Sequence, residues 1–359
     1  MFASKTNDSA LSFRKSSGWV GIDIGSHTIK LAQIERHGKQ IRIASRWAIT
    51  GDENQLLSRE SILDGRFSNQ LSAMRQMRRM FTRRESASVL PMSIVDYRSI
   101  DIPHVDPIEQ RQIVGEELAA DLDAETSDFL FDFWNLPTES SADSETARLD
   151  AVCLPRTIAS RIAKDLMDIG SDCQLLNAMP CAIARAVQIA NPAETDNIVC
   201  GLNLGFTSST LVMVRNGNPI FSRVLRSESL RSIIQPLQSS FNLSVEESRQ
   251  LLTHVGVGLP GQSNPTTGSS IMQRVVAPIE SLTSELIRTV DYIHLQPGRY
   301  YPSRICLMGG GGLIKNLPLL IENKLHIPVQ LWSLPDTKPD LSDPLYAVAA
   351  ALSSLAWEN

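Results

Sequence analysis

The sequence predicts an α/β protein built from two related halves, with a β-α-β-β-α-β subdomain inserted into the first half. Residues 20–31, VGIDIGSHTIKL, align with residues 200–211, CGLNLGFTSSTL, so a repeat recurs half a chain length later. Each copy continues to a second turn, His37-Gly38 in one and Asn216-Gly217 in the other. Between the copies, residues 96–176 carry a different pattern of strands and helices. Matching turns at two successive positions argue against a chance alignment.

Composition is that of a globular protein. Apolar residues make up 42% and charged residues 20%, and 359 residues suggest two or three domains. The net charge of −5 provides no basic field for nucleic acid, so that class of partner is excluded. No apolar stretch reaches the ~18 residues that cross a bilayer, so no membrane span is expected. The five cysteines form no CxxC pair, and reduced thiols are expected rather than disulfides or zinc ligands.

The first half is predicted to cover residues 18–95, after a flexible polar tail at 1–17. The tail is rich in serine and lacks the apolar core of a signal peptide. The half opens with a strand, a Gly/Ser/Thr turn, a second strand at 30–35, another turn and a third strand. The second copy repeats this order, and its Asn-Gly turn predicts a hairpin because both central residues of a type I′ turn need positive φ.

Residues 96–176 are predicted to form the inserted subdomain. Its strands are expected at 96–102, 129–134, 149–154 and 173–176, with a polar loop at 138–146. Its helices are expected at 107–122, where Asp106 is the N-cap, and at 157–169, where Gly170 ends the helix. Residues 177–196 are predicted as a helix that returns to the first half.

Residues 197–359 are predicted as the second half. Helices are expected at 244–254, at 272–295, after residues 309–312 up to residue 325, and at 345–355. The last of these helices is expected to pack back on the first half. Strands are expected at 305–308 and 329–331, and a Gly/Pro/Ser-rich loop at 256–270.

The first turn carries residues suited to phosphate and a metal ion. Asp23 ends an apolar strand, Gly25, Ser26 and Thr28 follow in the turn, and Lys30 begins the next strand. Glycine lets a ligand approach the main chain, backbone N–H and hydroxyl groups donate to phosphate oxygens, and a carboxylate orders hydrated Mg²⁺. A polar β-hairpin without a ligand is the alternative interpretation.

A run of four glycines, 309–312, follows an apolar strand and precedes a predicted helix. Such a run lets a flat ligand lie on the main chain with phosphate near the helix N-terminus. A flexible turn is the alternative. The spacing fits neither GxGxxG nor GxxxxGK[ST], so the Rossmann and P-loop interpretations are excluded.

Together these motifs resemble the actin/Hsp70/sugar-kinase superfamily, whose actin-like fold has ribonuclease H-like duplicated halves. The insert is similar to subdomain 1C of the cell-division protein FtsA and of the type IV pilus assembly protein PilM. Features along the whole chain favour the PilM family: its length, the segment Phe13-Arg14-Lys15 with its two basic residues, and the segments 119–122, 131–133, 284–292 and 319–329.

The resemblance implies that ATP or ADP with Mg²⁺ binds weakly between the halves. Asp23 would hold Mg²⁺ through a water molecule. The implied nucleotide-binding residues lie in the two turns and the glycine run: Asp23, Gly25, Ser26, His27, Thr28, Lys30, Asn203, Gly205, Thr207, Ser208, Gly309, Gly310, Gly311 and Gly312.

Three positions depart from the family pattern. Asn203 stands where the second phosphate motif normally has Asp, so Mg²⁺ loses a carboxylate. Met179 stands where an acidic residue normally orients the attacking water, and it cannot accept a proton. The positions that normally contact ribose through Glu and Lys are Arg249 and Leu252, although a shifted alignment would bring Glu246-Glu247 there. No catalytic residue is predicted, and a non-hydrolysing pseudo-ATPase is expected.

The resemblance therefore implies a cytoplasmic scaffold, peripheral to the inner membrane, in type IV pilus or related type II secretion assembly. It would bind the cytoplasmic N-terminal tail of a bitopic, PilN-like inner-membrane protein at the insert and link it to the cytoplasmic assembly ATPase. Self-association stays open. An active ATPase or sugar-kinase-type enzyme would need a catalytic carboxylate, and none is evident. An FtsA-like cell-division or cytoskeletal protein would need a C-terminal amphipathic membrane helix, and none is expected after Trp357.

Overall fold

The computed structural model describes residues 16–136, 146–192, 197–258, 267–296, 300–335, 337 and 340–358. Residues 1–15 of the predicted tail, nearly all of the polar loop and half of the Gly/Pro/Ser-rich loop lie outside the described residues. The last two residues of the predicted tail, Ser16–Ser17, form a short strand rather than a flexible segment, because they pair with residues 35 and 36 of the first meander.

The elements of the described ranges are numbered in chain order. The strands are β1 Ser16–Ser17, β2 Val20–Ile24, β3 Thr28–His37, β4 Gln40–Thr50, β5 Glu85–Val89, β6 Asp96–Pro103, β7 Phe129–Asn135, β8 Thr146–Pro155, β9 Asp172–Asn177, β10 Val199–Leu204, β11 Ser209–Arg215, β12 Asn218–Leu225, β13 Arg304–Met308 and β14 Val329–Leu331. The helices are α1 Arg59–Leu63, α2 Arg66–Ser72, α3 Met74–Met77, α4 Pro107–Leu122, α5 Arg156–Asp168, α6 Met179–Ala190, α7 Leu230–Phe241, α8 Val245–His254, α9 Thr267–Leu295, α10 Leu317–Leu325 and α11 Asp343–Ser353.

Each half is built on one mixed sheet with the same topology. The first has the order β1-β3-β2-β5-β9, with β4 also paired to β3, and the second has the order β12-β11-β10-β13-β14. In each, an antiparallel meander is extended by parallel strands. Asp23 faces Lys30 in the first meander, and Asn203 faces Thr210 at the equivalent place in the second. The predicted duplication of the two halves is confirmed.

The second turn of the second meander has the predicted conformation. Asn216 and Gly217 both have positive φ, 53° and 75°. This turn joins β11 to β12, and a turn of this type matches the right-handed twist of the two strands that it joins.

The inserted subdomain is smaller than the sequence predicts. Its sheet has the order β6-β8-β7, and α4 covers one face over a small core that includes Val114, Leu118 and Leu149. The predicted last helix and strand, α5 and β9, belong to the first half. β9 pairs in parallel with β5, and Ile158 and Ile162 of α5 are buried in the first-half core. The physical reason is that β5 otherwise has a free edge, which β9 completes.

Two helices lie between the halves, and each packs on strands of the other half. α11, near the end of the chain, packs on β2 and β3 of the first half, where Ser353 Oγ donates to the carbonyl of Trp19 and accepts from the N–H of Ile34. α6, predicted to return to the first half, packs instead against β10–β12 of the second half and against α11. Its apolar face, which includes Ile183 and Val187, packs on that sheet within the core between the halves. No helix in the described ranges combines the length and apolar character needed to cross a bilayer.

Candidate functional site

The turns after β2 and β10 and the glycine run after β13 meet in one cleft between the halves. β10 and β13 are adjacent parallel strands, so the segments that follow them lie at the same end of the second sheet, and the turn after β2 lies opposite them. Twelve of the fourteen residues predicted to bind nucleotide line this cleft: Asp23, Gly25, Ser26, His27, Thr28, Lys30, Asn203, Gly205, Thr207, Ser208, Gly309 and Gly310. The fold therefore brings together three segments whose residues lie 101 to 287 positions apart in the sequence.

The other two glycines of the run lie away from the cleft. A Cβ on Gly311 would stand 2.0 Å from Leu204 Cδ2, and one on Gly312 would stand 2.9 Å from Pro344 Cβ. Both are buried against neighbouring elements, so they serve close packing rather than ligand contact. Residues 310–313 form a single 3₁₀ turn, and the predicted helix begins only at Leu317.

The acidic residue of the first turn is paired by the chain itself. Asp23 and Lys30 are cross-strand partners, and Lys30 Nζ donates to Asp23 Oδ2 at 2.9 Å. The Asp23 side chain is buried and that of Lys30 is mostly buried. The other oxygen, Asp23 Oδ1, is buried and has no hydrogen-bond partner among the described residues. Lys30 thus compensates a charge that a metal ion would otherwise balance.

Asn203 lies opposite, between Met179 and the glycine run. Its Nδ2 lies 3.6 Å from the sulfur of Met179, and both side chains are buried. Neither residue carries a charge, so the second half contributes no carboxylate at this place. Of the two positions that the family uses for ribose, Arg249 lines the cleft, whereas Leu252 is buried in the second-half core.

The tips of the two turns touch each other across the cleft. The rings of His27 and Phe206 are stacked, with centroids 4.0 Å apart and planes inclined by 18°. Beside them, Thr207 Oγ1 donates to Ser26 Oγ at 2.9 Å. Phe206 was not predicted as a site residue, although its position as the repeat partner of Ser26 could have drawn attention to it.

His27 is held in its neutral form. His27 is 3% exposed, and its pKa is lowered from 6.5 to about 4, mainly by burial. The positive charges of Arg249 and Lys30 contribute to this lowering, whereas Glu53 and Glu246 oppose it. Its Nδ1 is buried without a partner among the described residues. The ring packs against Phe206 while the residue lines the cleft, so its predicted contact with nucleotide stays a prediction.

A magnesium nucleotide matches these groups only in part. The orphaned Asp23 Oδ1 is suited to a metal-bound water. The cavity between the halves, however, measures about 50 Å³, whereas sites for small ligands usually measure ~300–1,000 Å³. In this conformation the cleft therefore does not fit a nucleotide.

A second concave site lies between the inserted sheet and the first half. It is an apolar groove of about 240 Å³, bordered by β7 and β8 on one side and by the end of β9 and the start of α6 on the other. β7 and β9 are edge strands of their sheets. Leu130 on β7 is 44% exposed and Leu175 on β9 is 40% exposed. Met179 borders both this groove and the cleft.

Polar groups flank the apolar groove on the β7 side. The Trp134 Nε1–H group is buried and has no acceptor within the described part of the chain. The Trp134 ring lies near Tyr97, whose hydroxyl donates to the buried carboxylate of Asp150. Burial and the adjacent carboxylate raise the pKa of Tyr97, so its hydroxyl stays protonated as a donor.

No family model and no curated protein matches this chain. Among solved structures, it is similar over its whole length to a chain of the PilM–PilN type IV pilus biogenesis complex, with 20% identity, a TM-score of 0.74, and coverage of 95% of this chain and 99% of that one. It is also similar to the ethanolamine utilization protein EutJ from Carboxydothermus hydrogenoformans, with 13% identity, a TM-score of 0.53, and coverage of 94% and 90%. A third similar structure is component A of (R)-2-hydroxyglutaryl-CoA dehydratase from Acidaminococcus fermentans, with 10% identity, a TM-score of 0.50, and coverage of 96% and 98%.

These similarities establish the fold. The chain has an actin-like fold, as predicted, and its resemblance to the PilM family is confirmed at the level of fold.

Proposed function

We propose that this protein is a scaffold of type IV pilus or related type II secretion assembly. In this proposal it lies in the cytoplasm at the inner membrane and holds the cytoplasmic N-terminal tail of a bitopic, PilN-like membrane protein. The observation that carries the proposal is the full-length similarity to a chain of the PilM–PilN complex, together with an apolar groove of suitable shape.

The groove suits an extended peptide. Its two walls include the edge strands β7 and β9, and an edge strand can be extended by an added peptide strand. Apolar side chains such as Leu130 and Leu175 line the walls, so alternate side chains of the peptide would be buried. The Trp134 Nε1–H group is available as a donor to a peptide carbonyl. A peptide with alternating apolar residues is thus the expected ligand.

A scaffold function also agrees with the residues of the cleft, which are poorly suited to catalysis. Met179 cannot act as a base, Asn203 supplies no charge, and Lys30 already neutralises Asp23. These features argue against turnover of ATP, so we propose that the protein is not an ATPase. Linkage to a cytoplasmic assembly ATPase would then place this chain between the motor and the membrane protein. Because the groove is small, we expect modest affinity that several copies and the membrane anchor reinforce.

Binding of a labelled synthetic peptide tests the proposal. The peptide comprises the residues that precede the membrane span of the PilN-like protein from the same organism. Leu130→Glu or Leu175→Glu places a charge on the apolar wall, and we expect either variant to weaken binding by about tenfold or more in fluorescence anisotropy.

Met167→Glu is the matched control. Met167 lies on α5 outside the groove and is 68% exposed, so the same added charge should leave affinity unchanged. Wild-type affinity in both groove variants would refute the proposed docking site. Absence of any binding to the wild-type protein would refute the proposed partner.

A further inference from the structure

We infer that the chain closes its own cleft through a clasp of four side chains, and that a nucleoside triphosphate can enter only when this clasp opens. The clasp consists of Ser26 and His27 from the turn after β2, and Phe206 and Thr207 from the turn after β10. The inference concerns the cleft alone and is independent of the peptide groove.

The contacts of the clasp are reciprocal. In the repeat, Ser26 corresponds to Phe206 and His27 corresponds to Thr207. Across the cleft, Ser26 bonds to Thr207 and His27 stacks on Phe206. Each residue thus meets the neighbour of its own repeat partner, as happens across the two-fold axis of a symmetric dimer. Duplication has therefore produced two turns whose tips are complementary to each other.

The clasp is uncharged, and its first-half residues are buried. Ser26 and His27 are buried, and His27 stays neutral beside Arg249 and Lys30. A neutral imidazole can stack on the Phe206 ring without the cost of burying a charge. These side chains fill the space between the turns and leave a cavity of only about 50 Å³.

Several of the groups suited to receive phosphate are already paired within the protein. The Ser26 and Thr207 hydroxyls bond to each other, and Lys30 bonds to Asp23. The N–H of Gly25 donates to the carbonyl of Thr28 at 3.1 Å. A phosphate chain between the turns would have to break the contacts between their tips. Closure by the clasp and occupancy by a triphosphate therefore exclude each other.

Hydrogen exchange in the full-length protein tests whether a substitution in the second half loosens the opposite turn in the first half. Phe206→Ala removes the stack from the second half, and we expect the amides of the opposite turn, residues 25–28, to exchange about tenfold faster. Phe241→Ala is the matched control, because it shortens a 42% exposed phenylalanine at the end of α7 in the same half. Unchanged exchange at 25–28 in folded Phe206→Ala would overturn the inference.

Calorimetry with MgATP provides the second measurement. The wild-type protein should give no saturable heat at millimolar nucleotide, whereas Phe206→Ala should bind. Equal MgATP affinity in the two proteins would overturn the inference, since the stack would then not restrict entry.

A disulfide tests the clasp even if Phe206→Ala does not fold. The hydroxyl oxygens of Ser26 and Thr207 are 2.9 Å apart, so thiols at these positions need only small shifts to reach the ~2.05 Å of an S–S bond. We expect Ser26→Cys/Thr207→Cys to form this bond in the native protein, and the oxidised protein to bind no MgATP. Failure of the bond to form, or MgATP binding by the oxidised protein, would overturn the inference.

Discussion

Acidification should destabilise this protein through His27. The folded protein lowers the pKa of this side chain to about 4, because the ring is buried against Phe206 and faces the positive charges of Arg249 and Lys30. In the unfolded chain the pKa returns to its ordinary value of 6.5. Between these two pH values the unfolded state binds a proton that the folded state does not, so the free energy of unfolding falls as the pH falls.

The magnitude follows from the two pKa values. A tenfold change in proton affinity corresponds to about 1.4 kcal/mol, so the difference between 6.5 and about 4 amounts to about 3 kcal/mol. This contribution is fully present above pH 6.5 and is lost progressively as the pH falls to about 4. It is a large fraction of the ~5–15 kcal/mol that stabilises a typical domain.

Urea unfolding at several pH values between about 7 and about 4 measures this contribution. Carboxylates also titrate near the lower limit, so the informative quantity is the difference between wild type and His27→Gln, which has no titratable group at this position. We expect the advantage of the wild type to shrink by about 3 kcal/mol across the range. His104→Gln, at an exposed histidine, is the control and should follow the wild type. Parallel curves for wild type and His27→Gln would refute the reasoning.

Two further predictions concern the core and the cleft. Gly21→Ala should lower the free energy of unfolding by about 3 kcal/mol, because a Cβ there would stand 1.8 Å from the carbonyl oxygen of Ala349 on α11. Thermal unfolding checks this prediction, and an unchanged melting temperature would contradict it. Steady-state phosphate release with MgATP should stay far below about 1 s⁻¹, because Met179 and Asn203 stand where acidic groups would be needed. Measuring the wild type beside Asn203→Asp/Met179→Glu checks this prediction, and wild-type turnover near that rate would contradict it.

Local patterns in the sequence were sufficient to predict the duplicated architecture. The strand, turn and strand order of residues 20–31 recurs at 200–211, and the turn residues are chemically alike. Strand alternation and turn preference depend on neighbours in the chain, so they can be predicted without a tertiary structure. The family resemblance then indicated which turns face each other, and twelve of the fourteen predicted residues line one cleft.

Pairing at sheet edges could not be predicted in the same way. The strand β9 was predicted in the insert because it directly follows α5 in the chain. Its backbone, however, pairs with β5, which precedes the whole insert. A strand of alternating residues can complete either sheet, and the choice depends on which edge lies beside it after folding.

The sequence by itself determined that this chain has two actin-like halves, two hydroxyl-bearing turns and no second carboxylate at the cleft. The tertiary structure alone decided that the turns touch. His27 and Phe206 are 179 positions apart, and no local pattern specifies that their rings stack at 4.0 Å. That contact depends on how α6 and α11 set the distance between the two sheets, and packing over such a distance is a property of the whole fold.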